Sequence, residues 1–172
     1  MRTLSVVALC LVLAGCFSSD EPVFTEDRGA CPFTAPTVYE EVDETPYRFT
    51  FETDGAYCKV TDPDGDVTLA LFVPIGRNRW IVQSDEESTT YAIMRRSGDR
   101  LTQYTPRCSD FSQARLRRLG VLFDEERERC TVTEARQVET LFRAWGGGRA
   151  TAAYRLVRPR ITRSAAANTY VF

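Results

Sequence analysis

From Tyr47 onward apolar and polar residues alternate. Tyr47, Phe49 and Phe51 fall on one face and Arg48, Thr50 and Glu52 on the other, the period of a half-buried strand. Asp54-Gly55 is a hairpin signal, so Ala56 to Val60 is expected to pair back. Asp62-Pro63-Asp64-Gly65 is a second turn, in which Pro presets one φ and Gly supplies a positive one. Val67 to Val73 is apolar on both faces, as suits a central strand. Pro74 to Asn78 reads as a turn, Trp80-Ile81-Val82 and Thr89 to Met94 as strands, Ser97-Gly98-Asp99 as a turn and Leu101 to Tyr104 as the last strand. Six short strands joined by tight turns predict an antiparallel meander.

After Cys108 the period lengthens. Asp110 stands where it would cap a short helix from Phe111 to Leu119, with Gly120 as its stop. Val121-Leu122-Phe123 then reads as a strand, with a return around Arg129 to Val132. Thr133 precedes the clearest helix: Ala135, Val138, Leu141, Phe142 and Trp145 recur at helical spacing, while Glu134, Arg136, Gln137, Glu139 and Arg143 face away. Gly146-Gly147-Gly148 ends it, and Ala153 to Val157 predicts a final strand before Pro159. Between Phe17 and about Thr37 no periodic face exists. Pro22, Pro32 and Pro36 punctuate what reads as a tether, and the acidic run Glu40-Glu41-Val42-Asp43-Glu44 follows as a solvated stretch.

The first sixteen residues have a different pattern. Arg2 is followed by an apolar core from Leu4 to Leu13, broken only by Ser5, and then by Leu13-Ala14-Gly15-Cys16. About ten residues of helix cover roughly half of the ~30 Å hydrocarbon thickness, so the run is an export signal and not a membrane span. Leu13, Ala14, Gly15 and Cys16 resemble the lipobox of bacterial lipoproteins. The resemblance implies removal of residues 1–15, diacylation of the Cys16 thiol, and a third acyl chain on the new amine. Two or more acyl chains anchor a protein stably without a transmembrane helix. By the same resemblance, Phe17 in place of Asp after the Cys points to the outer membrane, with the domain facing the periplasm.

Composition narrows the partners. Without residues 1–15 the chain has 21 basic and 24 acidic residues, a small negative excess that argues against nucleic acid as a partner. Cysteine usage fits an exported domain. With Cys10 in the leader and Cys16 as the lipid site, Cys31, Cys58, Cys108 and Cys130 form an even set, with three possible disulfide connectivities. The sequential pairs Cys31–Cys58 and Cys108–Cys130 are favoured, each closing a short loop.

Candidate chemistry is sparse. The chain contains no His, so Ser-His-Asp and Cys-His arrangements and His metal ligands are excluded. The one Lys, Lys59, alternates outward beside Cys58. Asp62 to Asp66 resembles a calcium loop only in part, since Val67 and Val73 stand where Gly and Glu are needed; it reads as a hairpin turn. Arg95-Arg96, Arg115 with Arg117-Arg118, and Arg155 with Arg158, Arg160 and Arg163 are candidate anion contacts. Trp80 and Trp145 read as core. The ending Tyr170-Val171-Phe172 resembles that of outer-membrane barrel proteins, but no array of membrane-length strands precedes it.

The expectation is therefore an α+β fold: an antiparallel meander of about six strands with one short and one longer amphipathic helix and two disulfides. Residues 1–15 form the signal, 16–37 a lipidated flexible tether, 38–158 one domain, and 159–172 a tail. No catalytic residue, metal or cofactor is assigned. The expected role is a non-catalytic binding or scaffolding module, with membrane contact through the lipid anchor and an envelope protein or glycan as partner. The alternatives are an inhibitor of an envelope hydrolase and a small carboxylate-based hydrolase.

Overall fold

The computed structural model describes residues 17–42, 47–85 and 88–158. In chain order these form β1 (Phe17–Ser19), β2 (Thr37–Glu41), β3 (Arg48–Asp54), β4 (Tyr57–Thr61), β5 (Val67–Gly76), β6 (Arg79–Asp85), β7 (Thr89–Ser97) and β8 (Arg100–Tyr104). There follow α1 (Gln113–Arg118), β9 (Leu122–Asp124), β10 (Arg129–Thr131), α2 (Ala135–Ala144) and β11 (Ala152–Leu156).

The six expected strands are β3 to β8, each antiparallel to the next, but they do not form an open meander. β2 pairs with β3, and β11 lies between β2 and β8. Eight strands, β2 to β8 and β11, thus close into an antiparallel barrel, with β1, β10 and β9 added outside. The α+β expectation is corrected accordingly: the fold is mostly β. Alternation within a strand reports which face is buried, but not whether the sheet curls shut. Closure depends on β2, whose Glu40 and Glu41 had read as solvated, and on β11, whose partners lie far away in the chain. Pro74 is tolerated inside β5 because the β4 pairing ends at Leu71, and a bulge follows between Pro74 and Gly76.

Closure gives two cores, one on each side of the same wall. Inside are Phe33, Tyr39, Phe49, Phe51, Phe72, Trp80, Met94, Leu101 and Tyr154. Outside, Leu71, Val73, Ile81, Tyr91 and Ile93 meet Val138, Leu141 and Phe142 of α2 and Leu116 of α1. β5, β6 and β7 are buried on both faces, which explains why Val67 to Val73 lacks alternation. Ser112, rather than Asp110, caps α1 by accepting from the Arg115 amide. At α2 the Gln137 Oε1 accepts from the amides of Thr133 and Glu134, at 2.7 and 3.1 Å.

The tether expected over residues 16–37 is also corrected for its described part. Phe17 is wholly buried in β1 and meets Phe111 and Phe142 edge-on, at 5.6 and 5.3 Å. β1 pairs antiparallel with β7 and parallel with β10. Further on, the buried Gln83 amide bonds both the N–H and the carbonyl of Phe24, at 3.0 and 3.2 Å. Gly29 crosses β5 so closely that a Cβ there would lie 2.3 Å from Leu71 Cδ1 and 2.8 Å from the Ala56 carbonyl oxygen. Isolated aromatics, not a periodic face, hold this segment down.

The disulfides join Cys31 to Cys58 and Cys108 to Cys130, the sequential connectivity. Sequence separations of 27 and 22 place each at roughly 3–4 kcal/mol in the chain-entropy account. The first ties the N-terminal segment to the barrel wall. The second joins the turn before α1 to β10.

Candidate functional site: the barrel interior

Strand direction gives the barrel two unlike ends. The β3–β4, β5–β6 and β7–β8 turns share one end; the β4–β5 turn and the β6–β7 connection share the other. At the first end Phe33 enters the barrel and packs against Phe51, Tyr39 and Phe72 at 5.0, 5.9 and 6.1 Å. Its carbonyl accepts from the Thr53 hydroxyl. The Cys31–Cys58 bond lies two residues away and holds this plug in place.

At the second end the inward side chains shrink. Thr68, Ala70, Ser84, Thr90 and Ala92 stand where an eight-stranded barrel would otherwise be filled. They leave a cavity of about 60 Å³, floored by Phe49, Phe51, Phe72, Met94 and Tyr154. Only Thr68, Ser84, Thr90, Gln103 and the Tyr154 hydroxyl supply polarity, and no carboxylate lines it among the described residues. The Tyr154 phenol is pushed well above its ordinary pKa, first by burial and then by Glu41, directly opposite across the β2–β11 ladder. A neutral phenol, three small hydroxyls and an amide on an apolar wall can hold an aliphatic group and orient one polar atom beside it.

Behind the plug lies an open cleft of about 430 Å³, walled by Pro32, Phe33, Tyr39 and Leu156 and edged by Asn78 and Arg96. The Arg96 guanidinium sits over the Trp80 ring, 5.7 Å from its centroid. Burial raises the Tyr39 pKa, and Arg96 opposes that shift.

Of the residues singled out from sequence, the structure brings together the four disulfide cysteines in two pairs. Arg95 and Arg96 stand at the plugged end. Arg155 lies on β11 beside β8. Arg115 instead ties α1 to the Thr140 carbonyl at 3.2 Å. Lys59 pairs with Glu52 at 2.8 Å, and Asp62 Oδ1 closes its turn by accepting from the Asp64 and Asp66 amides. Trp80 belongs to the barrel interior, while Trp145 meets Tyr104 edge-on at 5.5 Å. Leu13, Ala14, Gly15, Cys16, Arg160, Arg163 and the Tyr170-Val171-Phe172 ending lie outside the described residues. The cavity and the Phe33 plug were missed by sequence reasoning; the signal for the cavity is the pair of small residues at alternate positions of β5 and of β7, with Ser84 between them on β6. No family model, no curated protein and no solved structure matches the chain.

Proposed function

We propose that this protein is a non-catalytic binding module of the bacterial envelope. It is anchored by lipid on Cys16 at the outer membrane, and it takes a small apolar group into the open end of its barrel. The carrying observation is the cavity of about 60 Å³ toward the mouth, where small side chains stand in place of the large ones that pack the plugged end. Native interiors are normally filled to crystal-like density, and a dry apolar cavity can take up a small apolar molecule, so the void beside these hydroxyls supports an occupant. The plug, tied by Cys31–Cys58, fills the opposite end. The lipobox resemblance of Leu13 to Cys16 supports the anchor.

Two experiments test the reading separately. Titration with short-chain alcohols of increasing length, followed by methyl NMR of Val60, Val82 and Met94, should give saturable shifts. Ala92→Leu should abolish those shifts and leave the protein folded. Shifts that persist unchanged in Ala92→Leu would place the binding elsewhere. For the anchor, palmitate should label the full-length chain and not Cys16→Ser; equal labelling of both would remove Cys16 from the account.

A further inference from the structure

The plugged end carries an arrangement of charge that folding alone does not favour. The β5–β6 and β7–β8 turns lie side by side there, the Arg96 amide donating to the Asn78 carbonyl at 2.9 Å. They bring Arg77, Arg79, Arg95, Arg96 and Arg100 to one end, with Asp99 the single acidic residue in these two turns and Asp54 in the neighbouring β3–β4 turn. Register makes this costlier still. Arg79 stands directly opposite Arg95, while Arg155 lies between Arg100 on β8 and Glu40 on β2. Like charges in directly opposed strand positions are destabilising. None of these six arginines has a carboxylate within ion-pair distance among the described residues. Arg79 is engaged with the Phe142 and Trp145 carbonyls at the end of α2, and Arg96 with Trp80. Arg77, Arg95, Arg100 and Arg155 are exposed. The other end is the reverse, with Asp62, Asp64, Asp66 and Asp85 around the mouth.

We infer that the end bearing Arg77, Arg95, Arg96, Arg100 and Arg155 is a docking surface for anionic lipid headgroups, so that the barrel stands with its plugged end on the bilayer and its mouth away. Phosphodiesters match guanidinium donors in charge and geometry, and they relieve the opposed Arg79 and Arg95. A bilayer is flat and touches one end only. The barrel is built on strands of up to ten residues, so its acidic mouth lies beyond the ~8–10 Å Debye length from such a surface. A flexible polyanion long enough to wrap the molecule would meet the acidic end as well, and is disfavoured. The inference rests on the envelope reading for its setting, while its test does not require lipidation.

The test uses the full chain carrying Cys16→Ser with vesicles of phosphatidylcholine alone or mixed with phosphatidylglycerol. The quantity read is the difference in co-sedimentation between the two. Phosphatidylglycerol should raise binding at low salt, and high salt should cancel the rise. The double variant Arg95→Glu/Arg100→Glu should cut the anionic-vesicle partition by at least about tenfold. It should also raise the thermal midpoint, because each new Glu faces Arg79 or Arg155, which separates lost docking from lost folding. Arg117→Glu/Arg118→Glu on α1 should leave the partition unchanged. Equal binding to both vesicle types, indifference to the Arg95/Arg100 reversal, or capture by a soluble polyanion in preference to vesicles would each overturn the inference. Failure of the alcohol titration or of palmitate labelling would instead strike the cavity or the anchor.

Discussion

Gly29 and Tyr154 show how single positions carry this fold. Gly29 has an ordinary negative φ, so its need is for space, not for a left-handed backbone. One neighbour of the missing Cβ is the Leu71 side chain, which can shift, but the other is the Ala56 carbonyl, which cannot. Gly29→Ala should therefore cost about 1–3 kcal/mol by chemical denaturation. An unchanged midpoint would mean that the N-terminal segment does not lie against β5. Tyr154 makes stability depend on alkaline pH. Burial, reinforced by Glu41, raises its pKa in the folded state, so the folded chain holds this proton after the unfolded chain has released it. The resulting stability is intact below the ordinary phenol range near pH 10 and is lost as pH rises above it. Tyr154→Phe removes that linkage, and its midpoint should fall less steeply above pH 10 than the parent's.

Among the elements, β11 matters beyond its five residues, because it alone joins β8 to β2. A chain ending at Gly148 would leave two unpaired edges on a curled sheet, and it should be recovered as aggregate rather than as a monomer. A soluble monomer of native circular dichroism would show that the barrel does not need its seal. The disulfides act locally by comparison. Replacing Cys31 and Cys58 together by Ala should lower stability by about 2–4 kcal/mol and broaden the Phe33 ring signals, because the plug loses its tie. The same elements mark what could be read in advance. β3 follows from alternation, β5 from an apolar run bounded by turns and α2 from helical spacing, since each signal is local to its own segment. β2 was hidden because Glu40 and Glu41 sit on it, and a barrel strand accepts charge on its outer face and at its end. The cavity was invisible for another reason: Thr68, Ala70, Ser84, Thr90 and Ala92 are unremarkable singly and meet only when the sheet closes. The disulfide pairing was legible from loop length, whereas the burial of Phe17, Phe24 and Phe33 was not, because aperiodic aromatics announce contact without saying with what.

At the scale of the whole molecule, the barrel is packed and basic at one end, unfilled and acidic at the other. These asymmetries fall on the same axis, so binding at the mouth and docking at the plug are able to proceed together. A ligand that saturates the cavity should leave the partition onto phosphatidylglycerol vesicles unchanged, measured by repeating co-sedimentation with excess alcohol. Time adds a further asymmetry. β1 opens the described chain, yet its partners are Thr89 and Thr90 of β7 and, much later, Cys130 and Thr131 of β10, with the Val132 amide donating to the Ser18 carbonyl. Phe17 itself packs on Phe111 and Phe142, so its pocket is complete only once α2 has been made. Any enzyme that must work on the neighbouring Cys16 therefore acts during a window set by chain length, before the backbone one bond away is locked into a sheet. Under the proposed lipidation of Cys16, maturation therefore precedes the docking of Phe17.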